Sequence, residues 1–87
     1  MIDSHNKILL NKILSKFSSG NKLEAFHELT NFLKKNPNDM VATYNHGYMC
    51  QQLNKFDLAK KRYLKVINKD SQHWQSRFNI YTIYIIE

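Results

Sequence analysis

Two side chains of reactive types, His46 and Cys50, lie four residues apart in the stretch ATYNHGYMCQQLNKFDLA (42–59). If this stretch is helical, His46 and Cys50 share one face, because residues i and i+4 stack one above the other. A thiol beside an imidazole is the arrangement of a Cys/His nucleophile, and the same two side chains are common zinc ligands. The stretch therefore raises two functional hypotheses, catalysis and metal binding.

The surrounding sequence supports neither hypothesis. The neighbours Asn45, Tyr48 and Gln51 are neutral, and Cys50 falls in the middle of the predicted helix, so nothing nearby lowers the pKa of its thiol. The chain has one cysteine and hence no CxxC pair, and its other histidines show no ligand spacing with this pair. We therefore expect a non-enzymatic protein without catalytic residues, metal site or cofactor. Cys50 is interpreted as a small apolar core residue.

The composition is typical of a small helical domain. Of the 87 residues, 43% are hydrophobic and 23% charged, which suffices for one modest core. Two glycines and one proline are few for a β-rich or loop-rich protein, so we expect an all-α fold. The longest apolar block, IYTIYII, is much shorter than the roughly 20 residues of a membrane span, and a lone cysteine favours a reducing compartment. The expected location is cytoplasmic, without a membrane partner.

The sequence repeats itself with a period of 34 residues, which places Asn11, Asn45 and Asn79 in register. The same shift aligns Ala25 with Ala59. A fixed period of this length is the signature of a repeat architecture, in which short helical units stack because none can bury its apolar face alone. Each period is therefore expected to hold one pair of helices.

Within each period, the apolar residues recur at helical spacing. Leu9, Ile13 and Phe17 step by four along a first helix. This helix ends at the segment SSGN, where Gly20 favours the left-handed conformation of a helix end. A second helix carries six apolar residues on one face, namely Leu23, Ala25, Phe26, Leu29, Phe32 and Leu33. The segment NPND stops it and supplies a capping side chain. Three further helices are predicted over 40–52, 56–69 and 72–86.

Two segments carry a family resemblance. GNKLEAFHELTNFLKKNPND (20–39) resembles the second helix of a tetratricopeptide repeat (TPR) with its closing Pro-Asn-Asp, and ATYNHGYMCQQLNKFDLAKKRYLKVI (42–67) resembles most of a complete TPR unit. The resemblance implies a right-handed solenoid of antiparallel helix pairs, with five helices in about two and a half repeats. The chain would be a single domain, with repeat 1 over 1–37, repeat 2 over 38–71, and over 72–87 a cap or the first helix of an incomplete third repeat.

The resemblance also implies packing roles for single residues. Gly47 is the small residue at which a first helix closely approaches its partner. Ile13 and Tyr81 replace it in the outer units, which implies looser or shifted packing there. His46 takes a position that is usually Leu in the family, and we expect its side chain to be partly exposed. Asn54 stands in for the turn glycine, since asparagine adopts the left-handed conformation more readily than most residues.

In a TPR stack, the first helix of every unit lines the concave surface, so the three repeated asparagines would form a ladder along that groove. An amide side chain offers both a donor and an acceptor and can bridge to the backbone of an extended peptide. The resemblance therefore implies an interaction module that binds a peptide or protein partner in its concave groove. Alternatively, asparagine is simply common in this sequence and usual at that position. The predicted peptide-binding residues are Asn11, Asn45, Asn79, Tyr48, Gln52 and Gln75.

Two other functions stay open. Small TPR blocks also resemble the accessory arms of bacterial glycosyltransferases and sulfotransferases, so the chain is alternatively an arm of a larger transferase. The net charge of +6 and the basic segment KKRYLKVINK (60–69) point to a nucleic-acid-binding repeat, but aromatic residues for base stacking are not expected to be exposed there. The apolar helix over 72–86 is interpreted as an imperfect cap, a self-association surface or part of a longer protein.

Overall fold

The computed structural model describes residues 4–86, which form five α-helices and no strand. The helices are α1 (Ser4–Ser18), α2 (Lys22–Lys35), α3 (Met40–Gln52), α4 (Phe56–Lys69) and α5 (Trp74–Ile86). The predicted all-α chain with five helices is confirmed for this part of the sequence. The outermost residues of the first and third predicted units, 1–3 and 87, lie outside it. Within 4–86, no helix has both the length and the apolar character that crossing a membrane requires.

The helix boundaries follow local signals in the sequence. The helices α3 and α4 span the predicted ranges, whereas α5 begins two residues later than predicted, at Trp74. Gly20 (φ 110°) and Asn54 (φ 61°) both adopt the predicted left-handed conformation just after a helix. Asp39 caps α3, because its carboxylate accepts a hydrogen bond from the Ala42 N–H at 3.0 Å. Short connections therefore reverse the chain between helices.

The first two helices run antiparallel. Lys16 near the end of α1 forms an ion pair with Glu28 of α2, with 2.6 Å between Nζ and Oε2. At the opposite end of the pair, Asn6 of α1 donates a hydrogen bond to the Asn36 side chain, which follows α2. Each helix packs against the next along the chain, and α1 also contacts α3.

The helices α3 and α4 approach each other closely at Gly47. A Cβ atom on this residue would lie 2.9 Å from the Cε1 atom of Tyr63 and 3.1 Å from the Cβ atom of Arg62. A side chain at this position would therefore overlap its neighbours unless α4 moved. The prediction of a close approach at Gly47 is confirmed. Ala25 and Ala59, the small residues aligned by the repeat, are both completely buried.

Two leucines that were assigned to core stripes are exposed instead. Leu9 is 40% exposed and Leu23 is 62% exposed. In α1 the buried stripe consists of Leu10, Ile13 and Phe17, because spacings of three and four stay on one face, whereas each step of four drifts by about 40°. In α2, Leu23 lies about 120° around the helix from the centre of the buried stripe.

Candidate functional site

His46 lies inside the protein, between α2, α3 and α4. Its side chain is only 1% exposed, so the expectation of partial exposure was wrong. The imidazole stacks on the ring of Phe26, with 4.9 Å between the ring centroids. Its Nε2 atom lies 2.8 Å from Thr30 Oγ1, and its Nδ1 atom lies 3.1 Å from Arg62 Nε. The polar ring is tolerated in the core because both nitrogens have partners on neighbouring helices.

These hydrogen bonds define the state of the imidazole. The Arg62 guanidinium can only donate, so Nδ1 of His46 is the acceptor and Nε2 carries the proton. Nε2 then donates to the Thr30 hydroxyl, which itself donates to the Phe26 carbonyl at 2.9 Å. Burial, together with the positive charge of Arg62, lowers the pKa of His46 from 6.5 to about 4. The side chain is therefore neutral near pH 7.

Cys50 lies beside this imidazole as a buried thiol. Its Sγ atom is 3.8 Å from Nδ1 of His46, and the residue is 0% exposed. Burial raises the pKa of Cys50 to about 11, so the thiolate needed for nucleophilic attack is scarce near neutral pH. The interpretation of Cys50 as a core residue is confirmed. Among residues 4–86, no group of three or more His, Cys, Asp and Glu side chains is arranged to hold a metal ion.

The three asparagines related by the repeat have different surroundings. Asn11 on α1 is exposed, whereas Asn45 on α3 and Asn79 on α5 are half-buried. The Nδ2 atom of Asn45 donates to the carbonyl of Val41, one turn earlier in the same helix, at 2.8 Å. The Nδ2 atom of Asn79 instead reaches two tyrosine hydroxyls on other helices. Equivalent repeat positions are thus chemically distinct in the folded chain.

Asn79 belongs to a hydrogen-bonded chain that links α3, α4 and α5. Its Nδ2 atom lies 3.2 Å from the Tyr44 hydroxyl and 3.4 Å from the Tyr63 hydroxyl. The Tyr63 hydroxyl donates to the Gln51 side chain at 2.7 Å, and burial raises the pKa of Tyr63 above its usual value. The repeat does not predict these hydrogen bonds, because the residue one period before Tyr63 is the apolar Leu29.

The helices that carry the asparagines lie side by side. Phe17 of α1 meets Tyr48 of α3 edge to face, with 6.4 Å between the ring centroids. Tyr44 of α3 accepts the hydrogen bond from Asn79 of α5. These contacts join α1 to α3 and α3 to α5 through aromatic residues beside the asparagines. The remaining predicted groove residues are all at least partly exposed, namely Tyr48, Gln52 and Gln75.

Part of the basic segment of α4 is committed to internal contacts. Arg62 donates to the buried imidazole at 3.1 Å, and Lys65 Nζ donates to the Pro37 carbonyl at 2.6 Å. Lys61 and Lys69 are exposed. The charge that this helix offers to a phosphate backbone is therefore smaller than its sequence indicates.

Comparison with known proteins does not identify a family. No protein-family model matches the chain, and no curated protein matches it. Membership of the TPR family therefore stays a prediction from the sequence.

Proposed function

We propose that the chain is a TPR-like solenoid that binds a peptide or protein partner on the surface formed by α1, α3 and α5. The main support is that these three helices are neighbours, joined by the Phe17–Tyr48 and Tyr44–Asn79 contacts. Each of them carries an asparagine at the same repeat position. In a TPR stack, these helices would be the ones that line the concave groove.

The chemistry of α3 fits a peptide that is recognised through its backbone. Asn45, Tyr48 and Gln52 are spaced by three and four residues and so share one face of this helix. The two amides can accept from and donate to a peptide backbone, while the Tyr48 ring, which is 42% exposed, adds apolar contact area. None of the three side chains is charged. An extended segment that contributes main-chain groups and small or apolar side chains suits this face best.

The hydrogen bond between Asn45 and Val41 prepares the asparagine for such a contact. It uses one of the two amide protons and restricts the side chain to one orientation. The amide oxygen remains an acceptor for a peptide N–H. Because the side chain is already ordered, less conformational entropy is lost when a peptide binds.

The test begins with selection of binders from a random peptide library displayed on phage, followed by calorimetry with a selected peptide. The Asn45→Ala variant is expected to bind about 1–3 kcal/mol more weakly, since a hydrogen-bonding group is lost from the binding surface. The matched control is Asn68→Ala, which removes an exposed asparagine from α4 and should leave the affinity unchanged. Failure to enrich any peptide, or equal affinity for Asn45→Ala and wild type, would contradict the proposed surface.

A further inference from the structure

The helix α5 exposes a continuous apolar stripe on the side opposite its buried face. Its members are spaced by four, three and four residues, and they are Trp74 (67% exposed), Phe78 (61%), Tyr81 (65%) and Ile85 (66%). This spacing keeps all four side chains within about 60° around the helix. The core-facing residues of the same helix are Ser76, Ile80 and Ile83. Isolated exposed apolar residues are ordinary, but a contiguous stripe of this kind marks an interaction surface.

The repeat shows that this stripe occupies a helix-packing face. One period earlier, its positions correspond to Met40, Tyr44, Gly47 and Gln51 of α3. On that helix, Gly47 packs against the Tyr63 ring and Gln51 accepts the Tyr63 hydrogen bond. Two periods earlier they correspond to Asn6, Leu10, Ile13 and Phe17 of α1, of which the last three are buried. The same face is thus covered on α1 and α3 and open on α5.

The residues on α5 are unsuited to a helix packed as closely as α4 packs on α3. A Cβ atom alone at Gly47 would approach the Tyr63 ring to 2.9 Å, whereas the equivalent residue on α5 is the full-sized Tyr81. An occupant must therefore lie farther from the α5 axis and meet large side chains with large side chains. A coiled-coil contact between two bulky stripes has this geometry, with interaxial distances of about 8–10 Å.

The stripe is complementary to itself. The spacing of four, three and four reads the same in both directions along the helix. In an antiparallel pair of α5 helices, Phe78 of one copy therefore lies opposite Tyr81 of the other, and Trp74 lies opposite Ile85. Each pair of facing residues then consists of two large apolar side chains. The same surface patch serves both copies, as in an isologous interface.

Charge and area also favour a second copy as the occupant. The chain carries a net charge of +6, so two copies attract each other only through an uncharged face, and the stripe contains no charged residue. The flanking Arg77 is the one charged residue of α5, and an antiparallel pair keeps the two arginines apart. All four side chains of the stripe are more than 60% exposed and three of them are aromatic, so pairing two stripes removes a large apolar area from water.

We infer that the chain forms a two-fold symmetric dimer in which the α5 stripe of one copy packs antiparallel against the α5 stripe of another. The interface lies on a different face of α5 from Asn79 and is independent of peptide binding. It covers the apolar face that the five described helices leave open.

Sedimentation equilibrium over a series of protein concentrations tests the dimer. Wild type is expected to associate reversibly to a dimer, and Tyr81→Glu is expected to remain monomeric, because each interface would bury two unpaired carboxylates. The matched control is Leu64→Glu on α4, a residue that is 45% exposed, which should dimerise like wild type. Circular dichroism verifies that both variants are folded. A wild type that is monomeric at every concentration, or a Tyr81→Glu variant that still dimerises, overturns the inference and leaves the stripe to a helix of another protein.

Disulfide cross-linking tests the antiparallel arrangement. Phe78→Cys and Tyr81→Cys are prepared separately, mixed and oxidised, with the buried Cys50 as an unreactive background. The antiparallel pair predicts that the mixed disulfide forms faster than either homodimeric disulfide. Faster formation of the two homodimeric disulfides would indicate a parallel pair and contradict the inferred arrangement.

Discussion

The helices α3 and α5 occupy the same place in the repeat but have opposite surroundings. Packed between α2 and α4, α3 buries residues on two sides, including Gly47 and Cys50. By contrast, α5 packs mainly against α4, reaches α3 through the Asn79–Tyr44 hydrogen bond, and buries only Ser76, Ile80 and Ile83. The covered position on α3 is Gly47, whereas the equivalent position on α5 is the exposed Tyr81. On α1 the same position is the buried Ile13, so neither the repeat nor cover alone fixes residue size there.

Placing a larger side chain at Gly47 has the largest expected effect on the free energy of unfolding. Gly47→Val should reduce the free energy of unfolding by about 3 kcal/mol, because the new side chain overlaps the buried Tyr63 ring. Tyr81→Val should change it by no more than about 0.5 kcal/mol, since that residue is exposed. Urea unfolding at a concentration where the protein is monomeric measures both values. Similar losses for the two variants would show that α3 and α5 do not differ as described.

The comparison of His46 with Ile80, its equivalent on α5, predicts that the stability of the fold depends on pH. Since the pKa of His46 is about 4 in the folded state and 6.5 when unfolded, the unfolded chain binds an extra proton between these values. The stability that depends on a neutral His46 is complete above pH 6.5 and is lost as the pH falls towards 4, at a cost of about 3 kcal/mol.

The matched variant is His46→Ile, which places the α5 residue in α3. Unfolding free energies of wild type and variant are compared at pH 7 and near pH 4.5, so that the acidic residues common to both cancel. The wild type is expected to lose more stability on acidification than the variant. Parallel pH profiles would contradict the assignment of a neutral, buried imidazole.

Asn79 and Asn45 offer a third, smaller contrast. Asn79→Ala removes the donor that Tyr44 and Tyr63 share and should cost about 1.5 kcal/mol of stability. Asn45→Ala removes only a bond to its own helix and should change stability by less than about 0.5 kcal/mol. Thermal denaturation of both variants is the measurement. An equal effect would mean that the link between α5 and α3 carries no net stability.

The smallest predicted effect is a gain of stability. Ser76 is fully buried, and its hydroxyl has no hydrogen-bond partner among the described residues, whereas its equivalent on α3 is Ala42. Ser76→Ala should therefore raise the free energy of unfolding by about 1 kcal/mol. Ser15→Ala at an exposed position of α1 controls for helix propensity, which alone accounts for about 0.5 kcal/mol. A gain no larger than that of the control would contradict the unsatisfied hydroxyl.

The features that follow from local or periodic signals could be predicted from the sequence. Asp39, Gly20 and Asn54 fix helix ends by their own conformational preferences, and so the boundaries of α3 and α4 were predicted correctly. The close approach at Gly47 was predicted correctly from the resemblance to a tetratricopeptide repeat.

Contacts between side chains that are distant in sequence could not be predicted in this way. His46 looked partly exposed because Thr30 and Arg62, which satisfy its ring, lie on other helices and have no periodic relation to it. The same holds for Asn79 and Tyr63. Of the proposed binding face, the sequence predicted the residues and the structure shows their exposure, while the binding itself stays a prediction.

Cys50 makes the packing of α3 measurable by chemical labelling. As the one thiol of the chain, fully buried and with a pKa of about 11, it can meet a thiol-specific reagent only when α3 separates from its neighbours. The rate of labelling therefore reports how often that separation occurs. The native chain thus carries its own probe for the opening of its core around α3.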